Sequence, residues 1–279
     1  MLLNQYYLTK IHLYTLKNSL LCYIVSFNRL KLIRQLTVSI IVEMKTIVIK
    51  LSGSLFSLDS DPSGIKKIVK TLDGLARNGV KVVAVAGGGK LARDIQKTAR
   101  TFRADEALLD QFGIDVSRIH AKLLTTVSNK ACPDIPTTLD EVLRYSTSHP
   151  IVFSGGLSPG QSTNATAALI AERTKAKLFI NTTDVDGVFT SDPRKNKNAK
   201  LMKVISTKEL LSKVVDDKMS AGTYDLMDLL SIKIIERSKI HTIVIKCDSR
   251  QIKSAISESE LPMRKLVRKS TGTRILPLS

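Results

Sequence analysis

From Met44 onward, short apolar runs of strand length alternate with stretches of helical periodicity, and this alternation constrains the fold most strongly. Strands that are apolar along their whole length are typical of parallel sheets that helices cover on both faces. The pattern therefore predicts an α/β fold with a mainly parallel sheet. The predicted strands are Thr46–Leu51, 80–86, Ile151–Ser154, 177–181, Thr242–Lys246 and Thr273–Leu276.

The segments between these strands carry helix and turn signals. Asp61-Pro62 is a start signal and Asn78-Gly79 a stop signal for the first helix. Asp186-Gly187 is expected to form a tight turn between a strand at 178–182 and another at 188–190. A longer helix is expected over about 105–129, with one side formed by Leu108, Phe112, Val116, Ile119, Leu123 and Val127.

The charge balance favours anionic ligands, because 43 Lys and Arg residues face 25 Asp and Glu residues, a formal net charge of +18. On its own this excess leaves nucleic acid, a membrane surface and phosphorylated small molecules open. Aromatic residues make up only 5% of the chain and Trp is absent, so a base-stacking surface would be poorly supplied. No run approaches the roughly 20 apolar residues of a membrane helix. We therefore expect neither nucleic acid nor a membrane as a partner.

Cysteine and histidine show no clustered spacing suited to a metal ion. Cys22, Cys132 and Cys247 lie far apart. Such a pattern is typical of a reducing compartment, so the sequence indicates a cytoplasmic protein. Each of the four histidines is expected to pack against a helix or lie at the surface.

Residues 1–43 differ from the rest, because they contain no Gly, no Pro and only one acidic residue, Glu43. A signal peptide and a basic amphipathic segment at a membrane are two interpretations of this stretch. Met44, however, stands directly before the first predicted strand. We expect translation to begin there, with residues 1–43 as an extension without a role in the fold and 44–279 as the domain.

Two glycine-containing turns follow the first two predicted strands and place positive charge beside bare backbone. Lys50 precedes the turn Ser52-Gly53-Ser54, and Gly87-Gly88-Gly89 opens a helix that carries Lys90 and Arg93. Free N–H groups at such turns and the positive end of a helix bind phosphate oxygens. The alternatives are a solvent-exposed lysine beside an ordinary turn and a tight turn packed under another element.

Two further polar loops follow later strands. The loop 155–164 combines glycines with hydroxyl and amide side chains, which can hold a phosphate or a sugar without adding charge. The loop 182–194 contributes Asp184, which can orient lysines or reach a metal ion through water, and Phe189, which can flank a base. All four loops are expected at the edge where parallel strands end. Their residue types suit phosphoryl transfer, which needs positioning and charge neutralisation more than proton chemistry.

Five motifs in this order resemble those of the amino acid kinase family, and most closely its archaeal UMP kinase branch. The resemblance implies a three-layer α/β/α sandwich around an open sheet, with a UMP-binding part at about 44–175 and an ATP-binding part at about 176–279. The motifs are Lys-Leu-Ser-Gly-Ser (50–54), Gly-Gly-Gly-Lys-Leu-Ala-Arg (87–93), Pro-Gly-Gln-Ser-Thr (159–163), Asp-Val-Asp-Gly-Val-Phe (184–189) with Asp192-Pro193, and Ala-Gly-Thr-Tyr-Asp-Leu-Met-Asp (221–228).

The resemblance also implies an activity. Members of this branch transfer the γ-phosphoryl group of Mg-ATP to UMP and form UDP in pyrimidine nucleotide biosynthesis. The implied cofactor is Mg²⁺, held mainly by nucleotide phosphates rather than by protein ligands. A homo-oligomer, usually a hexamer, is implied as well, and UTP is the expected candidate for a feedback inhibitor.

The family pattern assigns roles to single positions of this chain. Lys50 is expected to neutralise charge on the transferring phosphoryl group, Asp184 to organise that lysine, and Asp110 to hold the UMP ribose. The residues implied at ATP are Gly53, Ser54, Gly88, Arg93, Thr183, Asp184, Phe189 and Asp192. Those implied at UMP are Gly87, Asp110, Gly156, Leu157, Ser158, Pro159, Gly160, Gln161, Ser162 and Thr163.

Departures from the family pattern do not remove an essential charge. Asp184 stands where archaeal relatives often have Asn, and Phe189 stands where Tyr is common. Two alternatives stay open: a sibling enzyme that phosphorylates an amino acid or isopentenyl phosphate, and a non-catalytic nucleotide sensor or storage protein on the same scaffold. The isopentenyl phosphate branch usually has His after its glycine loop, where this chain has Lys90. Loss of Lys50 would favour the sensor, and Lys50 is present.

Overall fold

The computed structural model describes residues 45–59, 61–215, 227–259 and 271–277. Residues 1–43 and positions 221–226 of the fifth motif lie outside these ranges. Within them, the strands are β1 (Thr46–Leu51), β2 (Lys81–Ala86), β3 (Ile151–Ser154), β4 (Leu178–Thr183), β5 (Val204–Ser206), β6 (Thr242–Lys246) and β7 (Thr273–Leu276). The α-helices are α1 (Ser63–Arg77), α2 (Gly89–Thr101), α3 (Glu106–Thr125), α4 (Leu139–Ser148), α5 (Thr163–Arg173), α6 (Thr207–Val215), α7 (Leu229–Ser238) and α8 (Ser249–Ser259).

The seven strands form one sheet in the order β3-β2-β1-β4-β6-β7-β5. The first five of these run parallel, whereas β7 is antiparallel to β6 and pairs in parallel with β5. The expected mainly parallel sheet is therefore confirmed. Because β3, β2, β1 and β4 are neighbours that run the same way, the loops that follow them meet at one edge.

Two apolar clusters cover the two faces of the sheet. Along β1, Val48 packs into one cluster, whereas Ile47 and Ile49 pack into the other, as the alternation of side chains along a strand requires. One cluster includes buried residues of α4, α5, α6 and α7, and the other includes residues of α1, α3 and α8. The structure is thus the expected three-layer sandwich. No helix among the described residues is long and apolar enough to span a membrane.

The register of β1 in the sheet fixes the position of Lys50. Lys50 lies opposite Val85 of β2 and Asn181 of β4, one residue before the end of β1. Lys50 is only 9% exposed, and because side chains alternate along a strand, its side chain lies on the same face of the sheet as Val48. The interpretation of Lys50 as a lysine free in solvent is therefore wrong.

The predicted apolar side of the long helix is wrong in part. Leu108, Ile119 and Leu123 are exposed on α3. The side that faces the sheet and the glycine turn instead includes Ser117 and His120, both buried and hydrogen-bonded. This side of α3 approaches the backbone of the glycine turn closely, which favours small or hydrogen-bonding side chains. The hydrophobic pattern alone therefore predicted the wrong side of the helix to be buried.

The expected hairpin after β4 is also wrong. Both edges of β4 are occupied, by β1 on one side and β6 on the other, so no edge is left for a strand at 188–190. Phe189 forms an isolated bridge with Leu201 instead. The helix signals were better guides: Asp61 accepts a hydrogen bond from the N–H of Ser63 at 2.9 Å, and α1 ends at Arg77, just before Asn78-Gly79.

A hydrogen-bonded pair, His241 just before β6 and Arg274 in β7, makes stability depend on pH. Nη1 of Arg274, a residue only 1% exposed, donates to Nε2 of His241 at 2.7 Å. Arginine has no acceptor, so Nε2 must be unprotonated. Burial and, after it, the charge of Arg274 lower the pKa of His241.

We expect the free energy of unfolding to decrease as the pH falls from about 7 to about 5, because the unfolded chain takes up a proton near pH 6.5 that native His241 resists. His241→Gln, whose amide oxygen can accept from Arg274, should reduce this slope; it should not abolish it, since burial also lowers the pKa of His120. Urea titrations at several pH values measure the effect, with His149→Gln as the control. An unchanged slope in His241→Gln contradicts the assignment.

Candidate active site

A cavity of about 800 Å³ lies at the edge where β1, β2 and β4 end. Elements from both halves of the domain contribute to it. Of the residues that the family pattern assigned to substrates, the lining includes Lys50, Gly53, Ser54, Gly87, Gly88, Arg93, Asp110, Gly156, Gln161, Ser162, Thr163, Thr183 and Asp184. The fold thus brings together residues that lie up to 134 positions apart along the chain.

Two serines in the turn after β1 are bonded to the first carboxylate after β4. Ser52 Oγ donates to Asp184 Oδ1 at 2.8 Å, and Ser54 Oγ donates to the same oxygen. The N–H of Ser52 donates to Oγ1 of Thr182 at 2.9 Å. These bonds cross between neighbouring strands, so they fix the first turn against β4.

The charge state of Asp184 follows from this arrangement. Partial burial opposes its ionisation, but the hydrogen bonds from Ser54 and Ser52, together with the ammonium of Lys50, outweigh the burial and lower its pKa. Asp184 is therefore a carboxylate at neutral pH. The carboxylate of Asp184 and the ammonium of Lys50 thus carry opposite charges, and each charge favours the ionised form of the other.

The two glycine turns touch through their backbones. A Cβ on Gly53 would lie 2.2 Å from the nitrogen of Gly89, and a Cβ on Gly89 would lie 2.3 Å from the carbonyl oxygen of Gly53. Gly89 also has a φ of +64°, which side chains rarely adopt. The N–H of Gly87 donates to the carbonyl of Leu51 at 3.0 Å. Only glycine allows this approach. The Gly87–Gly89 turn is therefore packed against another element, as one of the alternatives expected, and that element is the turn after Lys50.

The loop after β3 is held from α3. The N–H of Gly156 donates to Ser117 Oγ at 2.7 Å, and Nε of Arg118 donates to the carbonyl of Gly156 at 3.1 Å. Further along the loop, the N–H of Gly160 donates to Oδ2 of Asp110 at 2.7 Å. The loop is therefore anchored at its start and at its tip by a single helix.

The end of the same loop is linked to the second half of the domain. Ser162 caps α5 by accepting from the N–H of Ala165 at 3.0 Å, and its hydroxyl donates to Asp228. Asp228 in turn caps α7 through the N–H of Ser231 at 2.9 Å. The starts of two helices from different halves are thereby joined at the rim of the cavity.

Six of the expected site residues lie outside the lining: Leu157, Ser158, Pro159, Gly160, Phe189 and Asp192. Phe189 packs against the apolar cluster on one face of the sheet. Asp192 accepts from the backbone N–H and from Nε of Arg194, at 3.0 and 3.1 Å. Arg194 itself lines the cavity, so Asp192 acts on the cavity by holding that guanidinium.

Several lining residues had no individual role assigned from the sequence, among them Gln96, Asn164, Arg194 and Asp228, although the last three lie in loops or a motif described above. Two of them had a local signal. Gln96 follows Arg93 by three positions and so shares its side of α2, and Asp228 precedes an apolar helix as a capping residue does. Across the described ranges, no group of three or more His, Cys, Asp or Glu side chains is placed to hold a metal ion.

Gly53→Ala is expected to destabilise the fold by about 1–3 kcal/mol, the usual cost of forcing extra volume into a packed site, and to abolish nucleotide binding. The reason is the 2.2 Å clash with Gly89. Gly74→Ala is the matched control, because a Cβ at this helical position meets nothing nearer than 3.7 Å. Urea unfolding and nucleotide titration of both variants provide the measurement. If Gly53→Ala binds and unfolds like the control, the contact between the turns is wrong.

Comparison with known proteins agrees with this geometry. The family model described as "Amino acid kinase family" matches residues 45–246. A uridylate kinase of Methanococcoides burtonii is 38% identical over 232 residues, which cover 82% of this chain and 99% of the relative. The crystal structure of uridylate kinase from Archaeoglobus fulgidus is 38% identical, with a TM-score of 0.71, and covers 83% of this chain and 100% of that one.

A more distant structure agrees in fold alone. The UMP kinase of Bacillus anthracis is 19% identical, with a TM-score of 0.62, and covers 84% of this chain and 97% of that one. The family model covers well over half of the chain, and the archaeal relatives align over nearly their full length. By these matches, and by the sandwich and glycine turns described above, the chain belongs to the amino acid kinase family.

Proposed function

We propose that the chain is a UMP kinase, which transfers the γ-phosphoryl group of ATP to the phosphate of UMP and releases UDP and ADP. The archaeal relatives named above are uridylate kinases and align over nearly their full length. In this reaction an oxygen of the UMP phosphate bonds to the γ-phosphorus, and the bond from that phosphorus to the β,γ-bridging oxygen breaks. The proposal therefore requires a site in which two phosphates meet.

One observation carries the proposal: two glycine turns touch beside a buried lysine inside a single cavity. Phosphoryl transfer depends on holding donor and acceptor in line and on neutralising the charge that moves between them. The turn Ser52-Gly53-Ser54 serves the ATP phosphates and Gly87 approaches UMP. Gly88 lies between the two nucleotides, and the ammonium of Lys50 faces the transferring group.

The donor side is formed by residues after β1 and β4. Asp184, held by two serine hydroxyls, keeps Lys50 oriented. Thr183 and Arg93 line the same cavity and contact ATP phosphate or ribose oxygens. Asp192 contributes through Arg194, whose guanidinium adds positive charge on this side. Phe189, which lies outside the lining, supports this side from the apolar cluster.

The acceptor side is formed by the loop after β3 and by α3. Gly156, Gln161 and Thr163 line the cavity there and wrap UMP. Asp110 holds the ribose while it also accepts from the N–H of Gly160. Leu157, Ser158 and Pro159 shape the loop that closes over UMP.

Mg²⁺ is the proposed cofactor. Among the described residues the cavity offers three carboxylates, Asp110, Asp184 and Asp228, and each already accepts hydrogen bonds from protein groups. This donor set suits a Mg²⁺ ion that arrives on phosphate oxygens with most of its water, with Asp184 reaching it through water. When bound, the ion neutralises phosphate charge.

We also propose a homo-oligomer, with the hexamer as the expected form, and a cytoplasmic location. Leu108, Ile119 and Leu123 are exposed, and their spacing of eleven and four residues puts them on one side of α3. Apolar surface of this kind is typical of interfaces between subunits. In the described ranges, Cys132 and Cys247 are free thiols, in keeping with a reducing compartment. The family resemblance also leads us to propose UTP as a feedback inhibitor.

The proposal is tested by ADP release from Mg-ATP with UMP, CMP, dUMP, acetylglutamate and isopentenyl phosphate as acceptors. We expect UMP to give the highest kcat/KM. Lys50→Ala should lower kcat by about 10²–10³-fold, the usual effect of removing one group that stabilises transition-state charge, while UMP still binds. Lys45→Ala is the matched control, because Lys45 is a lysine that directly precedes the start of β1.

Two results would contradict this assignment. A higher kcat/KM for acetylglutamate or isopentenyl phosphate would make the chain a sibling enzyme of the same family. Loss of UMP affinity in Lys50→Ala with kcat intact would mean that the lysine binds the acceptor and takes no part in the transfer.

A further inference from the structure

One buried histidine contacts the Gly87 turn and the short helix that begins at Gly53, and it has no part in the roles given above. His120 lies on α3 and is only 5% exposed. Its Nδ1 lies 2.8 Å from the carbonyl oxygen of Gly87, and its ring stacks on Phe56 with centroids 4.4 Å apart and planes 7° apart. Phe56 ends the short 3₁₀ helix that begins at Gly53. One side chain therefore contacts the second glycine turn and the last residue of the short helix that begins in the first.

The chemistry of the contact fixes the proton on the ring. A carbonyl oxygen only accepts, so Nδ1 of His120 must donate. Burial lowers the pKa of His120, and the bond to Gly87 opposes this effect without outweighing it. The ring is therefore neutral at pH 7, with its proton on Nδ1.

The contact also fixes the direction of one backbone donor. No peptide bond in the described ranges is cis, so the carbonyl of Gly87 and the N–H of Gly88 point in opposite directions across a planar peptide. Because the carbonyl points toward His120, the N–H of Gly88 points away from it. Gly88 lines the cavity, and because this peptide joins two glycines, no side chain of its own residues restrains its plane.

We propose that His120 is a positioning residue for phosphoryl transfer. Its Nδ1–H holds the Gly87–Gly88 peptide so that the N–H of Gly88 is directed at the phosphoryl group between the two nucleotides. Its stack on Phe56 keeps the Gly53 turn in place against Gly88 and Gly89. The proposal rests on the proposed function, because that function supplies the phosphoryl group to which the N–H is directed.

Two substitutions separate the donor from the ring. His120→Asn places an amide nitrogen where Nδ1 stands but removes the stack on Phe56. His120→Phe keeps a ring for the stack but removes the donor. A merely structural role predicts that activity follows stability in both variants, whereas the positioning role predicts that activity follows the donor.

The experiment measures kcat, KM for UMP and the melting temperature of the wild type and both variants, together with amide hydrogen exchange at Gly88. We expect His120→Phe to lose about tenfold in kcat, less than the 10²–10³ of a donor removed outright, with KM for UMP changed less than about threefold. Exchange at Gly88 should be faster in this variant. His120→Asn should keep kcat within about threefold of the wild type, even where it melts at a lower temperature.

Wild-type kcat in His120→Phe, or a larger loss of kcat in His120→Asn than in His120→Phe, overturns the proposal. If His120→Phe does not fold, His120→Gln replaces it, because its amide is one atom too far along the chain to replace Nδ1; it too must be slower than His120→Asn. If the wild type fails to phosphorylate UMP, the proposed function is wrong. Hydrogen exchange at Gly88 then still decides whether His120 holds this peptide.

Discussion

The contact between the backbones of Gly53 and Gly89 is the constraint on which the site depends. Two neighbouring parallel strands end side by side, and the turns that follow them approach to a distance that no Cβ at either position would allow. The approach brings backbone donors of both turns, and Lys50 just before the first, to one end of one cavity. Strand pairing in the sheet holds the two turns side by side, and hydrogen bonds to β4 and to α3 support them.

The buried lysine is tolerable because its surroundings balance its charge. Asp184 stays ionised despite partial burial, since two serine hydroxyls and the ammonium favour the charged form. The same serines belong to the first glycine turn, so a single hydrogen-bond network links that turn to the carboxylate whose charge balances the ammonium. The fold itself fixes the donors and charges of such a site, as electrostatic catalysis requires.

The sequence predicted the site correctly where the inference needed only the direction of the strands and the positions of the glycines. The proximity of Lys50 to the Gly87–Gly89 turn follows from two apolar strands that run in parallel. The sequence did not predict which distant strands pair or which side of a helix faces the sheet. The partners that occupy both edges of β4 excluded the hairpin at 188–190, and α3 turns His120 rather than Ile119 toward the sheet. The bond from Ser162 to Asp228 joins residues 66 positions apart, and no local pattern indicates it.

In the proposed reaction, donor and acceptor phosphates meet end to end within one cavity. Calorimetric titration with a dinucleotide in which adenosine and uridine are joined through five phosphates tests this most directly. We expect one molecule to bind per chain, with ATP and UMP each displacing it completely. Displacement by only one of the two nucleotides, or two molecules bound per chain, would mean that the phosphates occupy separate sites and that the central claim is wrong.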